Sequence, residues 1–209
     1  MRAPFASFSG IAAPLALANV NTDAVIPAPF LRSPNADLGA GLFARWRFDE
    51  SGAEIADFVL NRGAFRRASI LLAGPNFGCG SSREAAAWAL LSFGVRCVAA
   101  PSYADIFYEN AFRNGLLAAI VEVDALAHAV ATAEADPERA VFAVDLQMTS
   151  ITGPDGAVMP FSIPDFRRDA LLSGDDEIAA TLRREDDIAA FVSADERARP
   201  WIYAMEARR

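Results

Sequence analysis

Three short apolar runs, separated by two helix-length segments, constrain this chain more than any other feature. Ser69-Ile-Leu-Leu-Ala73 ends at Gly74-Pro75, Val95-Arg-Cys-Val-Ala-Ala100 ends at Pro101, and Leu116-Leu-Ala-Ala-Ile-Val121 follows Asn114-Gly115. Continuous apolar runs of this length suit strands buried on both faces. Between them, Arg83 to Phe93 is rich in Ala and Leu and stops at Gly94. Tyr103 to Arg113 sets Ile106, Phe107, Ala111 and Phe112 at helical spacing. A strand–helix–strand–helix–strand order predicts parallel strands joined by right-handed crossovers. Ligands of such sheets bind beyond the carboxyl ends of the strands. Gly74 to Arg83 lies there.

Within that segment, Gly78 and Gly80 let the backbone approach a ligand closely. Ser81 and Ser82 fall where helix N-caps belong, and Arg83 falls in the expected first turn. Free N–H groups and the positive end of the helix dipole favour an anion. An arginine there opposes the dipole, which makes sense if its guanidinium forks onto a ligand carboxylate. The plainer reading is a capped helix after a glycine turn, and residue types alone leave both open.

The remainder reads as follows. Leu15 to Val20 suits a strand, and Asn21-Thr22-Asp23 a polar turn. Pro27, Pro29, Pro34 and Gly39 punctuate a long irregular connection reaching about residue 41, of a kind that is often functional. Phe58 to Asn61 and Asp124 to Glu134 read as helical, and Asp136-Pro137 ends the second. Val141–Leu146 and Ala157–Phe161 flank Gly153-Pro-Asp-Gly156 as a β-hairpin. Short helices are expected over Pro164–Leu172, Asp175–Leu182 and Asp186–Val192, with a loose charged tail beyond about Ala194. The length of 209 residues suits one domain over 1–209, with a core from about 5 to 193.

Composition removes several functions. The net charge of −8, with 27 acids against 19 bases, argues against nucleic-acid binding. No apolar run approaches the roughly 18 residues of a membrane span. Met1-Arg-Ala-Pro-Phe5 lacks the parts of a signal peptide, so a cytoplasmic location is expected. Cys79 and Cys97 are the only cysteines, too few for a disulfide framework or for the roughly four ligands of an iron–sulfur cluster. The single histidine, His128, sits in an Ala-rich helical stretch without a nucleophile elbow, and reads as a helix residue without chemistry. No metal site is expected in this chain. A standalone phosphate-binding domain would need a Walker-type lysine, which is missing.

Gly78-Cys-Gly-Ser-Ser-Arg-Glu84, followed by Trp88-Ala-Leu-Leu91 and Ala100-Pro-Ser-Tyr-Ala-Asp-Ile-Phe-Tyr108, resembles the small subunit of 3-isopropylmalate dehydratase, in the aconitase superfamily. The similarity extends to Asn21-Thr-Asp-Ala-Val-Ile-Pro27, Trp46-Arg-Phe48, Phe58-Val-Leu-Asn61, Asn114-Gly-Leu-Leu117 and Phe166-Arg-Arg168, spanning about Phe5 to Val192. The resemblance implies a three-layer swivelling β/β/α domain like the aconitase C-terminal domain, an α/β fold with a parallel strand–helix–strand core. It implies a hydro-lyase that isomerises 2-isopropylmalate to 3-isopropylmalate by dehydration and rehydration, in leucine biosynthesis. It further implies a heterodimer or heterotetramer with a large subunit that carries a four-iron four-sulfur cluster, acting on a small dicarboxylate substrate.

By position, the family's base is Ser81, assisted by Ser82, with Arg83 binding a substrate carboxylate and Gly80 lining the site. Thr22 and Asp23 are expected to anchor the second loop and to meet substrate. Phe30 and Leu31 are expected to select the apolar side group, or else to pack in the core. The chain departs from the family pattern at Ala85, where His is usual, and at Ala87, where Pro is common. These departures leave open a paralogous subunit acting on a methylmalate- or homocitrate-like diacid, or a non-catalytic binding or regulatory subunit.

Overall fold

The computed structural model describes residues 4–32, 36–81 and 83–203. Four strands run parallel, β1 (Phe8–Leu15), β2 (Ile70–Ala73), β3 (Cys97–Ala100) and β4 (Leu117–Val121). Every residue of β2 and β3 is buried, as expected for strands covered on both faces. β5 (Val141–Asp145), β6 (Ser150–Thr152) and β7 (Val158–Ser162) form an antiparallel meander. The two sets close into a ring in the order β1-β2-β3-β4-β7-β6-β5.

Closure depends on β1 changing partners along its length. Phe8 to Ile11 pair antiparallel with β5, and Ala12 to Leu15 pair parallel with β2. β7 does the same on the other side, meeting β6 through Val158 to Pro160 and β4 through Phe161 and Ser162. The result is two sheet layers sharing β1 and β7, with helices packed outside, which is the expected β/β/α arrangement.

Between β1 and β2 the described residues include the one-turn α-helices α1 (Thr22–Val25), α2 (Leu38–Gly41) and α3 (Ala44–Arg47). α4 (Ala85–Phe93) and α5 (Asp105–Arg113) make the crossovers of the parallel set, and α6 (Val123–Ala135) packs on β1, β2 and β7. α4 packs against α1, α2 and α5. α7 (Asp165–Ser173), α8 (Glu177–Leu182), α9 (Glu185–Ala198) and α10 (Pro200–Tyr203) end the described chain. Phe43, Phe65, Phe77, Phe107 and Phe142 are among the largest fully buried side chains. Among the described residues no helix is long and apolar enough to cross a membrane.

Several expectations need correction. The first strand is Phe8–Leu15, so only Leu15 of the expected Leu15–Val20 strand belongs to it. Gly10 and Pro14 both lie within this strand: Pro14 pairs with Leu72, and a Cβ at Gly10 would lie 1.8 Å from Ser69 Oγ. The long connection is not structureless in its described parts. It holds α1, a 3₁₀ turn over Ala28–Leu31 and α2. Helices of one turn are too short to show periodicity and owe their stability to packing. The hairpin around Gly153–Gly156 joins β6 to β7, not β5 to β7, because the three-residue β6 lies between them. The tail beyond Ala194 is helical to Tyr203 rather than loose. Asp195 pairs with Arg199 at 2.5 Å, one turn apart, and accepts from Tyr203 Oη at 2.9 Å.

Candidate active site

The site forms where the parallel sheet stops and then resumes. After β2, Gly74 passes so close to the β1 connection that a Cβ would lie 2.4 Å from Leu17 O. Beyond it the loops following β1, β2 and β3 pair again, through isolated parallel bridges Asn21–Cys79 and Phe77–Tyr103. Gly78 N donates to Val20 O at 2.8 Å, and Thr22 N to Cys79 O at 2.9 Å. On the other side Phe77 N donates to Ser102 O at 3.1 Å, and Ala104 N to Phe77 O at 3.0 Å. The loop bearing Ser81 is therefore the middle member of three joined loops at the carboxyl ends of the strands, where ligands of such sheets bind.

Two glycines make this path possible. Gly78 has φ +77°, and a Cβ there would lie 2.2 Å from Phe107 Cγ. Gly80 has φ +89°, with its Cβ position 3.4 Å from Asn21 Cβ. The first is required by both conformation and space, the second chiefly by conformation.

Consecutive residues of α1 grip the two ends of the loop's chemistry. Thr22, 1% exposed, donates from Oγ1 to Ser81 O at 2.7 Å, and its Oγ1 lies 3.1 Å from Ser81 Oγ. A threonine hydroxyl has one proton, and a carbonyl oxygen only accepts. The shorter contact takes that proton, which leaves the Ser81 hydroxyl to donate to Thr22. Asp23 Oδ1 then pairs with Arg83 Nη2 at 2.5 Å, and Arg83 Nη1 reaches Ile26 O at 3.5 Å. Asn21 caps α1, its Oδ1 accepting from Ala24 N at 2.7 Å.

The helix following this loop starts later than expected. α4 begins at Ala85 after Glu84, which makes no side-chain cap. Ser81 and Arg83 therefore precede the helix instead of capping it or standing in its first turn, and Ser82 lies outside the described residues. Arg83 N turns back to Ser81 O at 2.9 Å, because the left-handed glycines carry the chain around α1 before it can enter a helix. The conflict between Arg83 and the helix dipole disappears with this shift. The Glu84 carboxylate instead accepts from Asn114 Nδ2 at 2.8 Å. Ala85, Ala86 and Ala87 are buried where α4 meets its neighbours.

Phe30 and Leu31 stand apart from this group. Phe30 packs on Gly41 and lines a cleft of about 610 Å³ with Pro27, Pro29, Ala44 and Phe48, which none of Thr22, Asp23, Ser81 or Arg83 lines. Leu31 is 38% exposed. Cys97 is buried in β3, which pushes its thiol far above the ordinary range. Half-buried Cys79 donates from Sγ to Asn19 O at 3.3 Å. Among the described residues no three His, Cys, Asp or Glu side chains gather as metal ligands. His128 lies on α6 and pairs with Asp155 of the β6–β7 turn at 2.6 Å, a surface partner the sequence reading did not provide. The same reading missed Asn19, Asn21, Asn76 and Ser102. The available signal is the polar run Asn19-Val-Asn-Thr-Asp23, whose first two residues read as the end of a strand and whose last three as a turn.

Known proteins agree with this architecture. Residues 2–122 match the family model described as the aconitase C-terminal domain. The 3-isopropylmalate dehydratase small subunit of Jannaschia sp. is 50% identical over 205 residues, covering 95% of this chain and 98% of that protein. Its counterpart from Rhodospirillum centenum is 48% identical over 198 residues, covering 94% and 97%. The crystal structure of 3-isopropylmalate dehydratase from Methanocaldococcus jannaschii shares the fold with a TM-score of 0.62 at 24% identity, covering 88% of this chain and 99% of that one. With its ring of strands, its glycine-framed serine loop and relatives half identical along nearly its whole length, this chain belongs to the 3-isopropylmalate dehydratase small-subunit family, built on the aconitase C-terminal domain.

Proposed function

We propose that this chain supplies the base and a carboxylate-binding arginine to a hydro-lyase that isomerises 2-isopropylmalate to 3-isopropylmalate in leucine biosynthesis. The observation that carries this reading is the double grip of α1, with Thr22 on Ser81 and Asp23 on Arg83. Ser81 is exposed while its anchor is buried, so the hydroxyl is held by the fold yet open to a substrate. Ser81 acts as base in its alkoxide form, after its own hydroxyl proton has passed to solvent: Oγ takes the carbon-bound proton of the hydroxy acid while hydroxide leaves the neighbouring carbon, giving the alkene acid and a neutral Ser81 hydroxyl. Hydroxide then adds to the other carbon, and Ser81 returns its proton to the first, which regenerates the alkoxide. Arg83 suits a substrate carboxylate, which accepts two parallel N–H bonds. The Asp23 carboxylate already on Arg83 occupies the position that an anionic substrate must share or take over. Gly80, whose φ of +89° shapes the loop before Ser81, and Ser82 are assigned to substrate binding with Arg83.

A free serine is a poor base, so the reaction needs an electrophile opposite it. Two cysteines, one buried in β3, do not make the ligand set of a four-iron four-sulfur cluster. We place such a cluster in a large-subunit partner, where it would supply Lewis-acid assistance to the departing hydroxyl. This chain's part is to bind, orient and move the proton. We read 1–209 as a single domain, a reading supported by the one ring that strands between Phe8 and Ser162 close, and we place it in the cytoplasm. The shared name of the relatives favours isopropylmalate over methylmalate- or homocitrate-like diacids.

Anaerobic co-expression with a cluster-bearing large subunit tests the reading. Alkene acid should form from isopropylmalate with both chains present and with neither alone. Turnover by this chain alone would contradict the division of labour.

A further inference from the structure

Two asparagines outside the proposed catalytic group hold the Ser81 loop to its neighbour. Asn19 stands three residues before Thr22, and Asn76 five residues before Ser81. Both have φ +57°, in the left-handed region that few residues other than glycine adopt and that asparagine tolerates. Asn76 Nδ2 donates to Asn19 Oδ1 at 2.8 Å. The backbones of the same two residues are also tied. Asn19 N donates to Pro75 O at 2.9 Å, Asn19 O accepts from Cys79 Sγ at 3.3 Å, and Asn76 N donates to Ser102 Oγ at 2.9 Å.

This pair sits at the interruption of the sheet, after β1 and β2 have separated and just before Gly78 N and Thr22 N restore pairing. Across that gap the β1 and β2 loops are joined by one backbone bond, Asn19 N to Pro75 O, and by the side-chain bond between the two asparagines. Left-handed non-glycine residues persist where surroundings over-determine them, and they cluster at functional sites. We propose that the Asn19–Asn76 hydrogen bond is a positioning device that sets the register of the β2 loop against the β1 loop, and with it the contact of Ser81 Oγ with Thr22 Oγ1. Asn19 and Asn76 are positioning residues for proton transfer, and this inference rests on Ser81 being the base.

Glycine at either position keeps the left-handed backbone and removes only the side-chain bond. Asn19→Gly, Asn76→Gly and the double variant are to be assayed in complex with the large subunit. Each single variant should lower kcat about tenfold with KM within about twofold, because a base slightly out of place affects the chemical step more than binding. Complex assembly and melting temperature should be unchanged. The double variant should be no slower than the slower single, since both remove one bond. Unchanged kcat, losses that multiply in the double variant, or losses that follow assembly would each overturn the inference. If one variant fails to assemble, the other reads the same bond. Ser81→Ala is run alongside. Retained turnover there refutes the base assignment, whatever the glycine variants do. Abolished turnover there, with full-speed glycine variants, refutes the positioning role alone.

Discussion

Thr22 Oγ1 lies 2.7 Å from the carbonyl oxygen of Ser81 and 3.1 Å from its hydroxyl, across 59 residues of sequence. One buried hydroxyl thus fixes both the backbone and the side chain of the proposed base. Thr22→Val keeps the shape and removes the bonds. We expect a fall in kcat of about tenfold, with about 1 kcal/mol of lost stability for a carbonyl deprived of its partner. Steady-state kinetics and thermal denaturation of the same complex check the two effects, and a fully active variant would show that Thr22 serves packing alone.

Arg83 offers a planar fork that a lysine does not. Arg83→Lys keeps the charge beside Asp23 and loses the two parallel bonds to a substrate carboxylate. KM for isopropylmalate should rise by about 10- to 100-fold, the equivalent of roughly 1.4 to 2.8 kcal/mol. A substrate titration decides this, and an unchanged KM would remove Arg83 from the substrate site.

The two loop glycines should differ in how badly they tolerate a methyl group. Gly78→Ala strains a φ of +77° and drives Cβ to 2.2 Å from the Phe107 ring, whereas Gly80→Ala strains φ +89° but meets Asn21 Cβ at 3.4 Å. Left-handed strain costs about 1–2 kcal/mol, and overpacking adds about 1–3 kcal/mol. Gly78→Ala should therefore lower the melting temperature by clearly more than Gly80→Ala. Equal losses would mean that the Phe107 contact relaxes freely.

Asp155 provides a test by pH. The Ala157 backbone N–H, and after it the His128 side chain, hold its carboxyl below the usual range. A depressed folded value means that the stabilisation is present above the unfolded pKa of about 3.9 and is lost as pH falls through the folded value. Asp155→Asn should lower stability at pH 6 and make little difference near pH 2, as read by melting temperature across that span. A deficit that stays constant down to pH 2 would contradict the ionic origin.

The legibility of this chain followed length and repetition. β2, β3 and β4 stand out because each is a short apolar run with Gly or Pro at one end, and a strand covered on both faces needs nothing else. The position of the serine loop followed from that order. β1 was hidden because Gly10 and Pro14 carry turn chemistry within a strand, and their reasons lie elsewhere, at Ser69 and Leu72. β6 was hidden by its length of three residues. Within the site, Ser81, Arg83, Thr22 and Asp23 could all be named from motif and resemblance, but the pairing of Thr22 with Ser81 and of Asp23 with Arg83 could not. Thr22 and Asp23 meet them only because α1, a helix of four residues, forms after a sheet interruption that leaves no periodic trace. The shifted start of α4 has a similar cause, since two left-handed glycines delay helix entry until Ala85.

The central claim is that this chain provides the base. Turnover of isopropylmalate by the anaerobically assembled complex carrying Ser81→Ala tests it most directly. A positioned general base contributes about 100- to 10,000-fold. The account predicts a loss of that size with KM, assembly and melting temperature preserved, and a variant that turns over at the parent rate would contradict it.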